Sequence, residues 1–215
     1  MRVIWRNVKY PRIDLREGEI VVVAPRGTDI ERLLESKKSW IERKLREIDE
    51  IKEKVKKLME EGVKILDERY EIIFDCSDPG IDQAKKEIRI CDEKSGHLKK
   101  QLKDMLRKDM EKRLEKYCKK LGVKPNRIYI REQHTKWGSC STKKNVSFNL
   151  LLVFVPEKIR DFIAAHEAVH LIYPNHGREF QEKLREIYGE PVSRKDMLLW
   201  WYYSKEIKRL LGVSS

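Results

Sequence analysis

His166-Glu167-Ala168-Val169-His170 sets two imidazoles four residues apart around a carboxylate. On a helix, at about 100° per residue, positions i and i+4 lie within about 40° of each other and about 6 Å apart. Two imidazoles so placed can bind one tetrahedral zinc ion. Glu167, beside the first ligand, is then placed as the general base of metal-assisted hydrolysis. Random placement of 5 histidines and 24 glutamates would give about 0.01 such matches, so the pattern is specific.

A third ligand is needed, and His176 is the first candidate. Continued helix would carry it about 240° round, to the wrong face. Pro174 breaks a helix and Asn175 tolerates a left-handed backbone, so the chain can turn back there. Glu179, Glu182 and Glu186 on the following helix are the alternatives. Structural zinc sites usually have four protein ligands. Only three are evident here, which points to one zinc per chain with an open position. The spacing also matches metzincins, but Tyr173 stands where they carry glycine. Met197 falls in a helical stretch and reads as core.

Other residues are candidates for contact with substrate. Trp137-Gly138 on a turn suggests an aromatic wall and a close backbone approach. The strand 146–149, with Phe148 and Asn149, is either a sheet edge beside the zinc helix, able to hold an extended peptide, or an interior strand. His134, flanked by Arg131 and Lys136, can polarise a carbonyl or simply be a solvated loop residue. Cys140 reads as a small buried residue. His97 has no special role, and Leu198–Tyr203 reads as a packing surface.

These residues need a scaffold, and 215 residues suffice for one large core or two small ones. Charged residues make up 39% against about 25% in typical domains, yet apolar residues recur periodically, which excludes wholesale disorder. Lys9–Leu15 and Glu19–Val23 read as strands around a turn at Arg16–Gly18. Thr28-Asp29-Ile30-Glu31 reads as a capping box with Thr28 as the cap, opening one long helix to about Gly62. A second hairpin is expected from Glu68–Asp75 and Glu87–Cys91. A composition change at Ser95-Gly96 marks the expected boundary between an N-terminal α/β accessory region, 1–95, and a catalytic region, 96–215. There, helices are expected over 97–121, 157–173, 177–188 and 193–211, with strands at 127–132 and 146–149. The fold class is α+β.

The net charge is +12, and residues 97–144 hold most of it, with 16 basic and 5 acidic groups. That segment makes nucleic acid a possible partner. No apolar run approaches 18 residues and the N-terminus has no apolar core, so neither a membrane span nor a signal peptide is expected. The cytoplasm is the default location, and there Cys76 and Cys91 are expected as free thiols although they are placed to pair. Oligomeric state is not legible.

Trp137-Gly138-Ser139-Cys140-Ser141, Ser147-Phe148-Asn149-Leu150, Pro156, HEAVHL and Asn175-His176 with Phe180 form an ordered set. It resembles the YgjP-like metallopeptidase family, related to the SprT-like and WLM zinc proteases. The resemblance is specific over about 125–185 and looser over the first 95 residues. Gln181 and Ala168 depart from the family's usual residues. The resemblance implies a zincin-type domain with zinc on His166, His170 and His176, Glu167 as base and a peptide or protein substrate. Two alternatives stand beside it: a SprT-like protease acting on nucleic-acid-bound proteins, and a non-catalytic basic module that retains a zinc site.

Overall fold

The computed structural model of the chain describes residues 1–16, 19–75, 77–91 and 95–213. It divides into two compact units, Met1–Lys56 and Lys57–Ser215.

The first unit contains a three-stranded sheet of β1 (Arg2–Trp5), β2 (Arg12–Arg16) and β3 (Glu19–Ala24), in the order β1-β3-β2. The run Val21–Ala24 is almost wholly buried, as suits a central strand. It pairs antiparallel with β2 and parallel with β1. The turn expected at Arg16–Gly18 falls partly outside the described residues. The single long helix is two helices, α1 (Ile30–Ser36) and α2 (Lys38–Glu60). The Ser36 hydroxyl donates back to the Leu33 carbonyl, and the Lys37 amide closes a tight turn on Leu34, which ends α1. The cap is Asp29, not Thr28: Asp29 accepts from the Arg32 amide at 3.0 Å, while the Thr28 hydroxyl donates to the Pro25 carbonyl.

In the second unit, β4 (Val63–Ile65), β5 (Glu68–Phe74), β6 (Gly80–Asp82) and β7 (Glu87–Ile90) form a sheet in the order β4-β5-β7-β6. The expected pairing of 68–75 with 87–91 is present, but it is parallel rather than a hairpin. The intervening chain forms its own strand, β6, which runs antiparallel to β7. Asp82 makes the reversal by accepting from the Ala84 and Lys85 amides. Cys91, just past β7, is disulfide-bonded, not the free thiol expected for a cytoplasmic location. Cys76 lies outside the described residues. Cys118 and Cys140 are free thiols.

Helix α3 (Ser95–Leu121) follows. Leu98, Leu102, Leu106, Met110, Leu114 and Tyr117 are buried along one face. Gly122, at φ +66°, ends it: the Val123 amide returns to Cys118 and the Gly122 amide to Lys119. The sheet of β8 (Arg127–Arg131), β9 (Gly138–Cys140) and β10 (Asn145–Asn149) has β10 in the middle. A buried 3-10 turn, Leu150–Phe154, leads to α4 (Glu157–Val169), α5 (Arg178–Tyr188) and α6 (Arg194–Leu210). Helix α3 packs on α4 and on the 3-10 turn, and α6 packs on that turn as well. The boundary expected at 95/96 falls inside this second unit. The reason is physical: the Gln101 side chain accepts from the Ile81 amide, and the Leu66 amide donates to the Val153 carbonyl. The β4–β7 sheet is therefore joined to the helices it precedes. Among the described residues, no helix is long and apolar enough to cross a membrane.

Candidate metal centre

Helix α4 carries His166 and Glu167 on its last turn and stops earlier than expected, at Val169, with His170 as its C-cap. Backbone bonds from Leu171 to Ala168 and from Ile172 and Tyr173 to Val169 tighten the exit before Pro174 is reached. That exit returns His176 to the first two histidines. The three Nε2 atoms form a triangle with sides of 3.0, 3.1 and 3.2 Å. Tetrahedral zinc with metal–nitrogen bonds of about 2.0–2.1 Å places ligand nitrogens about 3.3 Å apart, so this triangle fits.

The donor chemistry fits as well. His170 Nδ1 lies 3.0 Å from the Tyr173 carbonyl oxygen, which can only accept. The proton therefore sits on Nδ1, and Nε2 turns a lone pair inward. Burial, helped by His170 and His176, pushes the His166 imidazole down to about 3. Burial lowers His170 too. Both shifts favour the neutral imidazole, the form that binds a metal ion. Phe180 on α5, 1% exposed, packs against all three rings at centroid distances of 4.5 to 4.9 Å. Among the described residues, these histidines are the group able to hold a metal ion. Glu179, Glu182 and Glu186 are not in that group: Glu182 pairs with Arg178 and Glu186 with Lys183.

Glu167 is 3% exposed, and its Oε2 is buried with no hydrogen-bond partner. A buried carboxylate oxygen left unpaired is costly unless a cation or a proton stands nearby. Burial pushes this carboxyl up to about 8, opposed by Lys136. Strand β9 lies against α4. A methyl group at Gly138 would sit 2.6 Å from Glu167 Oε1, so the backbone there closes directly over the carboxylate.

The family model for the YgjP-like metallopeptidase domain matches residues 9–199. The chain belongs to the YgjP-like metallopeptidase family. The match takes in every residue of the triad, Glu167 and the first six residues of α6. A solved structure titled as the metallopeptidase zymogen of Methanocaldococcus jannaschii jannalysin is 24% identical, with a TM-score of 0.34, over 47% of this chain and 96% of that one. Comparison with curated proteins finds no match.

Around this YgjP-like centre the other candidates divide. Gly138 reaches the site. Trp137 is half-buried and stacks edge to face on Trp201, at 4.9 Å between centroids. Trp201 lies in the Leu198–Tyr203 stretch expected as a packing surface, and its distance in sequence from Trp137 hides the contact. Phe148 and Asn149 are buried on the central strand. Asn149 donates to the carbonyls of Gln133 and Lys136 and accepts from the Leu151 amide, so it braces the loop before β9. The sheet edge beside α4 is β9, not 146–149, because β8 and β9 flank β10 on both sides. His134 is exposed on that loop. Cys140 is half-buried on β9, and burial, with Glu167 adding to it, raises its thiol.

Proposed function

We propose that this chain is a zinc-dependent peptidase, with His166, His170 and His176 holding one zinc ion and Glu167 acting as general base. The convergence of three imidazole nitrogens beside an unpaired buried carboxylate carries the reading. When bound, zinc supplies Lewis acidity, which lowers the pKa of water and polarises a carbonyl. Glu167 takes the proton from the attacking water and delivers it to the departing amine. The backbone of Gly138 excludes bulk water from one side of the carboxylate and fixes its direction. The free edge of β9 holds the substrate as an added strand, so that main-chain hydrogen bonds supply affinity.

The test is Glu167→Gln. One zinc per chain should remain, and turnover of a peptide library should fall by at least about 100-fold. Retained turnover sinks the mechanism, and lost zinc makes Glu167 a support of the metal site instead.

A second reading has one observation in its favour. Arg127, Tyr129 and Arg131 alternate along β8, with the Arg131 guanidinium 4.8 Å from the Tyr129 ring. Arg127 and Tyr129, with Lys124, Arg107 and its ion-pair partner Glu111, also line a groove of about 540 Å³. A protease acting on nucleic-acid-bound proteins would use such a surface. Binding to single-stranded DNA that falls steeply with salt supports it, and no binding at low salt removes it.

A further inference from the structure

The pairing of β9 with β10 decides which of its backbone groups are free. The Asn149 amide donates to the Trp137 carbonyl at 2.8 Å, and the Ser141 amide to the Asn145 carbonyl at 2.9 Å. Residues 137, 139 and 141 therefore turn their polar groups toward β10. Gly138 and Cys140 turn theirs the other way, where β9 has no neighbouring strand among the described residues. Side chains alternate too. Position 138 faces α4 and Glu167, so 137 and 139 face the opposite side. On that side stand two half-buried indoles, Trp137 and Trp201, in edge-to-face contact. Lys205 Nζ covers part of the Trp201 ring from 5.6 Å.

A peptide added along the free edge of β9 must alternate in the same way. Side chains opposite position 138 enter the site of the histidines and Glu167. Those opposite 137 or 139 fall beside the indoles. Cross-strand aromatic pairs are among the more favourable neighbours a sheet offers. We propose that Trp137 and Trp201 wall a specificity subsite that takes an aromatic side chain of the substrate, close to the scissile bond and at one parity from it. The proposal rests on the peptidase reading above and adds the substrate class.

A peptide library randomised on both sides of the cleaved bond tests it, with products identified by mass spectrometry. The zinc-loaded wild type should favour Phe, Tyr or Trp over Ala and Asp at one position by about tenfold in kcat/KM. Trp201→Ala should bring that ratio close to one with zinc content unchanged, and Trp201→Phe, which keeps an aromatic ring in place, should retain it. A direct binding measurement guards against loss of fold. The zinc-loaded Glu167→Gln protein, followed by tryptophan fluorescence, should bind an aromatic-bearing peptide about tenfold tighter than its Ala counterpart. Cleavage without aromatic preference, or a preference that survives Trp201→Ala, overturns the subsite alone. A zinc-loaded wild type that cleaves no peptide overturns the peptidase reading and the subsite with it.

Discussion

Gly138 closes over the carboxylate proposed as the general base. An added Cβ would meet Glu167 at 2.6 Å to Oε1 and 2.9 Å to Cδ and Cγ. Glu167 is buried and cannot swing away into solvent. Gly138→Ala should therefore displace the base while leaving the histidines in place. Activity should fall about 100-fold with zinc affinity nearly unchanged, as measured by turnover and by metal titration. Phe180 should behave in the opposite way. It holds all three imidazoles, so Phe180→Ala should weaken zinc binding about tenfold or more, read by competition with a chelator. His166, Glu167 and His170 were legible as a group because one helical turn relates them, and His176 was legible through the helix break that Pro174 and Asn175 signal. The sequence also showed Gly138 and Phe180, through spacing and resemblance, but gave neither a contact. The residue that Gly138 meets, Glu167, lies on a separate helix packed against β9, and periodicity within a strand says nothing of it.

Helix α4 is held by residues far away in the chain. Asp67, in a turn where Leu66 and Asp67 both adopt positive φ, accepts from the Glu157 amide at the helix start. Arg160, 2% exposed, donates to Asp67 at 2.6 Å, to Asp109 on α3 at 2.9 Å, and to the Val155 carbonyl. Asp109 also accepts from Arg113, which reaches on to Asp161 and Glu157. The network fastens the HExxH helix to α3 and to the β4–β5 turn. Removing one carboxylate leaves two guanidinium groups short of a partner. Asp109→Ala should cost about 3 kcal/mol, a fall in Tm of roughly 6–12 °C by calorimetry. None of this was visible beforehand, although the helix itself was. Pro156 signalled the start of α4, but the side chain that caps it comes from another element entirely.

Acid and base act on the whole molecule through the same centre. His166 drops from 6.5 to about 3 on folding, so the unfolded chain binds the extra proton first. Stability of metal-free protein should fall as pH drops from about 6.5 toward about 3. Glu167 works in the other direction: its carboxyl rises from 4.5 to about 8, so the folded form holds a proton that the unfolded form has lost. Stability should fall again as pH rises from 4.5 toward about 8. Metal-free Tm should thus pass through a maximum at mildly acidic pH, and Glu167→Gln should remove the alkaline limb. An alkaline limb that survives that substitution would assign it to another group. Charge at this scale was only partly legible. Many cations of 97–144 are used inside the unit: Lys99 and Lys103 on Glu132, Arg113 and Lys116 on Asp161, and Lys120 on the Ile187 carbonyl. Glu132 is held down to about 2: burial opposes this, but Lys208 and Lys99 outweigh it. Composition counts such charges without showing where they meet.

Arg160 also sets an order of events during synthesis. Its two carboxylate partners precede it by 93 and 51 residues. A chain leaving the ribosome exposes Asp67 and Asp109 well before the guanidinium that joins them. The β4–β7 sheet and α3 can therefore be in place when α4 emerges, and α4 docks onto a surface already built. His166 follows the guanidinium on the same helix, and His170 and His176 follow beyond its last residue, so the residues of the candidate metal centre leave the ribosome after the groups that anchor the helix. A nascent chain stopped before Arg160 would carry both anchoring carboxylates and none of the three histidines of the candidate centre.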